Sequence, residues 1–252
     1  LRAFEDLVEP NWRMPLEREL KWLADLLGAV RDLDVLMARL RKAAATALGR
    51  DAEVLAPLFG SLLVRHETAS TALLEGLQGP RYRKLLVLLD QAIEHPQLKD
   101  EAWEPCRSVL PALAAAAWRR VRKGAQSLRP SDPDAEFHEL RKRAKRARYI
   151  AELIAPIIVG RKDPSANRFI RRMTQVQDTL GEHQDAVVAA ALIEQCLAEN
   201  ADNAPFVAAA GRLLETQLEA SRASKTAFFK VWDKLDRKKS TRWLKAHRKA
   251  RA

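Results

Sequence analysis

The feature that most constrains this chain is a motif that occurs twice. Leu27-Gly28 followed by Asp32 and Val35 recurs as Leu180-Gly181 followed by Asp185 and Val188, a constant shift of 153 at which Arg18 and Asp25 also meet Arg171 and Asp178. Self-similarity at one fixed offset marks a doubled structural unit. Upstream, Glu5-Asp6-Leu7-Val8-Glu9-Pro10 resembles Ala151-Glu152-Leu153-Ile154-Ala155-Pro156 at a shift of 146, and a longer loop after Pro156 absorbs the difference of seven. On that alignment Leu1 meets Ala147. A helix ending at Pro10 is then the twin of 134–155, and the first repeat begins partway through its first helix.

The repeated unit reads as helical. Apolar residues recur at helical spacing through nearly the whole chain, with breaks where Pro, Gly, Asn and Asp collect. Helices are expected at 13–27 and on through Arg31 to about 48, then at 51–77, 80–93, 105–128, 134–155, 166–199 and 204–235, with 156–165 a turn. Nine Gly, two Tyr and seven Phe in 252 residues leave strand-rich architectures short of their usual residues, while 47% hydrophobic composition is enough for a real core. The expected fold is all-α, in one domain whose first half-repeat covers about 1–100 and whose second covers about 101–252.

Net charge bears on partners only through its placement. Of 44 Lys and Arg, eight lie in 237–252, which has no Asp or Glu, leaving 36 basic against 33 acidic residues elsewhere. That tail reads as a solvated or frayed end. Cys106 and Cys196 match no metal-ligand or redox spacing, which fits a reducing cytoplasm. No apolar run approaches the ~20 residues that span a bilayer, and nothing near Leu1 resembles a signal peptide.

The densest chemistry lies in 134–155. At 100° per residue, Leu140, Ala144, Ala147, Ala151 and Ile154 form a core stripe. The opposite side carries His138, Arg141, Lys142, Lys145, Tyr149 and Glu152, flanked by Arg146 and Arg148, and Asp132 or Asp134 is placed to cap the start. Six Lys/Arg within 141–148 repel one another unless an anion or partner carboxylates neutralise them. The alternative is a solvated face paired with Asp25, Asp32, Asp178 and Asp185. A second basic stretch, Arg119, Arg122 and Lys123, points away from a stripe of Leu110, Ala114, Ala117, Val121 and Leu128.

Phe137-His138-Glu139-Leu140-Arg141-Lys142-Arg143-Ala144-Lys145-Arg146-Ala147-Arg148-Tyr149 resembles the signature of CHAD domains, the conserved-histidine α-helical domains. Leu27-Gly28-Ala29-Val30-Arg31-Asp32 and Leu180-Gly181-Glu182-His183-Gln184-Asp185 resemble that family's two repeat motifs, in the right order. The resemblance implies two helical bundles related by a pseudo-twofold axis, a basic central groove, and binding of inorganic polyphosphate. The carry-over falls on His138, Arg141, Lys142, Lys145, Arg146 and Tyr149. The wider candidate set adds Arg2, Arg18, Lys21 and Arg31 from the first half and Arg119, Lys123, Arg171 and Arg172 from the second. This chain departs from the pattern at its start, where the first repeat's own His- and Arg-rich helix is represented only by its end, including Arg2.

Polyphosphate asks for spaced cations and counterion release rather than a shaped pocket. Seven residues of helix advance ~10 Å, enough to meet several successive phosphates. A hydrolase of such chains needs clustered carboxylates around a divalent ion. The recurring Asp25, Asp32, Asp178 and Asp185 stand singly with no Glu beside them and no Gly-rich loop, so they read as carboxylates that orient nearby cations. No catalytic residue, cofactor or metal is expected, since His66, His95, His138, His183 and His247 show no i,i+4 pairing. Partners implied by the resemblance are polyphosphate and a triphosphatase-type CYTH domain, to which family members are often joined and which this chain does not contain. General polyanion binding, nucleic acid included, is the competing reading, along with an accessory role in polyphosphate or triphosphate processing. The basic face lacks base-reading motifs and stacking aromatics.

Overall fold

The computed structural model describes residues 1–244; the end of the basic tail, from 245 to 252 and with it His247, lies outside the described residues. The described chain is all-α. Its helices are α1 (Pro10–Leu48), α2 (Ala56–Gln78), α3 (Pro80–Glu94), α4 (Cys106–Ser127), α5 (Asp134–Ile158), α6 (Pro164–Glu199), α7 (Ala204–Leu235) and the short α8 (Lys238–Thr241). Among the described residues no helix is long and apolar enough to cross a membrane.

Three expectations about helix ends are corrected. Pro10 opens α1 instead of closing a helix. Proline suits a helix start because the N–H it lacks would be unpaired there. The residues before it run beside 97–99, with Glu9 N–H donating to the Gln97 carbonyl (3.0 Å) and Lys99 N–H to that of Leu7 (3.1 Å). Gly49–Leu55 forms tight 3-10 turns, so α2 starts at Ala56 and not at 51, with Pro57 in its first turn. Finally, α5 runs through Pro156 to Ile158. The turn that follows holds Gly160 at φ 83°, a left-handed conformation that costs glycine little. Asp163 then caps α6, its Oδ1 accepting from the N–H groups of Ser165 (2.9 Å) and Ala166 (2.8 Å). Burial opposes ionisation of Asp163, but these hydrogen bonds and the Arg242 charge outweigh it and hold its pKa below the usual value.

The chain forms two compact units, and they are not the two sequence halves. The first joins Val8–Leu98 to Asp185–Glu219, and the second joins Arg2–Leu7 to Lys99–Gln184 and Ala220 onward. The 36-residue α6 and 32-residue α7 each give one part to either unit. At 1.5 Å per residue such helices exceed the length that one small core covers.

In the first unit, Leu36, Leu40 and Ala44 of α1 repeat at four-residue spacing and bury against Leu55, Leu58 and Leu62, Ile193 and Cys196 of α6, and Phe206 and Leu213 of α7. Midway along α1 the cover is thinner. Leu27 is 48% exposed there, whereas its repeat partner Leu180 is 1% exposed beneath α5. The two leucines therefore differ in burial, Leu180 being packed in a core that α5 shares.

The second unit is the aromatic one. Trp118 of α4 stacks on Trp232 of α7 (5.4 Å between ring centroids) and meets Phe169 of α6 edge-on (5.3 Å), and Phe169 in turn meets Trp243 (5.5 Å). Such pairs contribute roughly 0.5–1.5 kcal/mol each beyond the area they bury. The α4 stripe of Leu110, Ala114, Ala117, Val121 and Leu128 is buried as its spacing predicts. So is the α5 stripe, to which Phe137 adds a fully buried ring.

Candidate anion-binding face

Because α5 buries one stripe completely, its charged residues are forced to the other side. The helix has small residues at Ala144, Ala147 and Ala151 on the buried side, which lets its backbone approach its neighbours closely. At Gly124 of α4 a Cβ would stand 3.4 Å from Leu140 Cδ1 and 2.9 Å from Nη1 of the exposed Arg143, whose guanidinium lies over this glycine. Lys142, Lys145 and Arg146 are exposed, and His138 and Arg141 are half-buried.

The face is short of negative charge. Lys142 pairs with Glu139 one turn before it, and that ammonium lowers the Glu139 pKa. Arg148 is neutralised by Glu152 (2.9 Å) and donates to Gln177 of α6 (2.8 Å). Among the described residues no carboxylate pairs with Arg141, Lys145 or Arg146. Arg141 lies along α6 at Gly181, where a Cβ would stand 3.7 Å from its Nε; that Nε and the His138 Nδ1 are both buried without a hydrogen-bond partner. Gly181, half of the repeated Leu-Gly motif, thus lies in ordinary contact range of a half-buried cation. Tyr149 is 48% exposed, with Arg148 over its ring at 4.6 Å and Lys145 at 6.0 Å.

The remaining candidates fall elsewhere. Arg119 and Lys123 are exposed on α4, beside an Arg122 that is tied to Asp236 (2.9 Å). Arg171 is exposed on α6, and Arg172 donates to Gln175 (2.9 Å). Those on α1 belong to the first unit and sit next to carboxylates: Arg18 by Glu19 (3.1 Å), Lys21 by Asp25, and Arg31 by Asp32 (3.8 Å). Glu19 also accepts from Arg81 (2.7 Å), and the two arginines, Arg81 first, lower its pKa. Asp25 and Asp32 therefore face cations on their own helix. Asp178 is exposed on α6 and Asp185 is half-buried. Arg2 lies exposed in the short turn before α1.

One constellation escaped the sequence reading. The expected cap at Asp132 or Asp134 is absent, and Pro133 occupies that position with no side-chain bond. Asp134 instead faces Lys225 of α7 (2.7 Å) and the Nε2 of His183 on α6 (3.3 Å, without a hydrogen bond). His183 is 1% exposed, and its Nδ1 lies 3.0 Å from the hydroxyl of Ser221. Lys225 also donates to the Asp132 carbonyl (3.0 Å) and sits over the Phe137 ring (4.7 Å). Burial lowers the His183 pKa most, Asp134 opposes that, Lys225 adds to it and Ser221 opposes it. Serine faces Nδ1 and the carboxylate Nε2, the reverse of a hydrolase triad, and both Ser221 and His183 are buried. The cluster ties α5, α6 and α7 together. Sequence spacing held no signal for it, since Asp134, His183 and the Ser221–Lys225 pair lie on three different helices, 38 to 91 residues apart.

An all-helical protein presenting a cationic helix of this pattern defines a class, and the comparisons give its family. Residues 1–194 match the CHAD domain model, and the chain belongs to the CHAD domain family. An uncharacterized protein of Mycobacterium tuberculosis strain H37Rv, Rv2226, is 31% identical over 200 residues, 72% of this chain and 35% of the relative. The uncharacterized protein MT2285 of strain CDC 1551 is 30% identical over the same shares. The chain thus spans about a third of the length of these curated relatives. Among solved structures, PptA from Streptomyces chartreusis superposes with a TM-score of 0.78 at 22% identity, over 92% of this chain and 84% of PptA. That likeness supports the all-α architecture.

Proposed function

We propose that this chain is a non-catalytic module that holds inorganic polyphosphate along the cationic side of α5, and that it works in the cytoplasm, in keeping with two free cysteines. The observation that carries the reading is the uncompensated charge there: Arg141, Lys145 and Arg146 stand without carboxylate partners beside Lys142 and His138. Like charges this close repel, and a polyanion laid along the helix removes the repulsion while releasing its own counterions. Arg141 offers a planar fork suited to phosphate oxygens, and the lysines act as point charges beside it. The exposed aromatic on this side, Tyr149, already has Arg148 over one face of its ring, the face a nucleobase would otherwise share. A binder is favoured over a hydrolase because Asp25 and Asp32 already face their own cations.

The deciding experiment is a titration with long-chain polyphosphate against double-stranded DNA at matched phosphate concentration and moderate salt. Polyphosphate should bind at least tenfold more tightly. Equal affinities would replace this reading with general polyanion attraction.

A further inference from the structure

The second unit holds another concentration of cations, on a different side of α6. Arg168 and Arg172 of α6, Lys234 in the last turn of α7, Arg237 just after it, and Lys239 and Ser240 of α8 line a cavity of about 240 Å³. Core packing puts them there. Trp243, the residue that follows α8 by two positions, is buried against Phe169, one residue after Arg168, so the contact that anchors α8 also brings its lysine to the arginines. Arg168 donates to the Lys239 carbonyl (3.3 Å) and Arg172 to Gln175 (2.9 Å), both neutral acceptors. Arg237 is paired with Asp233 (2.8 Å), and among the described residues no carboxylate pairs with Arg168, Arg172, Lys234 or Lys239.

This cavity is separate from the α5 face. Gln177 is where α6 meets Arg148 of α5, and at 100° per residue Arg168 and Arg172 lie roughly 180° and 140° around the helix from it. The cavity opens to solvent, so a compact anion can seat in it and a longer chain could leave through its mouth. Two guanidinium forks and two lysines converging on such a space fit a compact anion with several charged oxygens.

We propose that this cavity is a binding site for a short oligophosphate of the pyrophosphate or tripolyphosphate class, taken either as a free anion or as the end of a longer chain. The assignment rests on the geometry of this corner and is independent of the α5 reading. Isothermal titration with tripolyphosphate should give one site per chain. Lys234→Gln with Lys239→Gln should weaken it at least tenfold, the Lys→Arg pair at the same positions should retain it within about threefold, and Lys84→Gln, at an exposed lysine of α3 outside both proposed sites, should leave it unchanged. Long chains with free and with chemically blocked ends separate the two sources. A loss on Lys→Gln confined to free-ended chains assigns the site to chain ends, and indifference of both long chains assigns it to the free anion. No saturable tripolyphosphate binding, or binding that the Lys→Gln pair at 234 and 239 leaves intact, would overturn the proposal.

Discussion

At the residue scale, the strongest statement concerns which cations on α5 are spoken for and which are not. Lys142 and Lys145 are both exposed, one with Glu139 beside it and one resting over Tyr149. Exposed pairs of this kind contribute roughly 0–1 kcal/mol, so neither lysine holds the fold together. Replacing both with alanine should weaken polyphosphate binding at least tenfold while leaving the melting temperature unchanged or slightly higher, because mutual repulsion is relieved. Binding titration and thermal melting on the same preparation check it. A collapsed melting temperature with affinity retained would make them structural partners instead. The α5 face could be anticipated from sequence because burial of one stripe at helical spacing leaves no choice about the other side. The compensation of each charge could not. That Arg148 takes Glu152 and Gln177 while Arg141 settles against Gly181 depends on how α6 lies beside α5, which no local pattern encodes.

At the scale of elements, the joint between α5, α6 and α7 turns on a buried imidazole. His183 is enclosed, and burial, the largest influence, moves its pKa below the ordinary value of about 6.5. A histidine depressed in the folded state favours the neutral form, so its contribution to stability is complete above about pH 6.5 and is lost as pH falls toward the lowered folded pKa. Stability should therefore decline from about pH 6.5 downward, and His183→Gln should flatten that part of the profile at some cost in overall stability; denaturant melts from pH 5 to 8 measure both. A profile of unchanged slope would mean that the ring is no titrating element of the joint. Helix ends were legible only in part, and for physical reasons. Pro10 and Pro156 occupy matching positions in the repeat, yet one starts a helix and the other sits in the last turn of one. Proline is compatible with a first turn, and tertiary contacts carry α5 past Pro156. Local sequence offers no means of telling those cases apart.

At the scale of the whole molecule, the helical period sufficed to anticipate an all-α chain, whereas the compact units cut across the sequence halves because α6 and α7 each give a part to both. The function proposed for the molecule is electrostatic, and that has a measurable form. For a single-stranded polyanion the logarithm of affinity falls with the logarithm of salt at a slope of roughly −0.7 per phosphate contacted, so four or five contacts predict a slope of about −3. Removing Lys142 and Lys145 should reduce that slope by about 1.4, two contacts' worth, as well as lower the affinity. Magnesium separates this behaviour from catalysis. It competes for phosphate oxygens and should weaken a pure binder, whereas a metal-dependent hydrolase requires it. Polyphosphate incubated with the protein and magnesium or manganese should keep its length on a gel and release no free phosphate. Asp32 and Asp185 are the carboxylates to watch, since both recur in the repeat. Metal-dependent shortening abolished by Asp32→Asn or Asp185→Asn would show that these groups hold a catalytic ion, and the binding-module reading would give way to that of an enzyme.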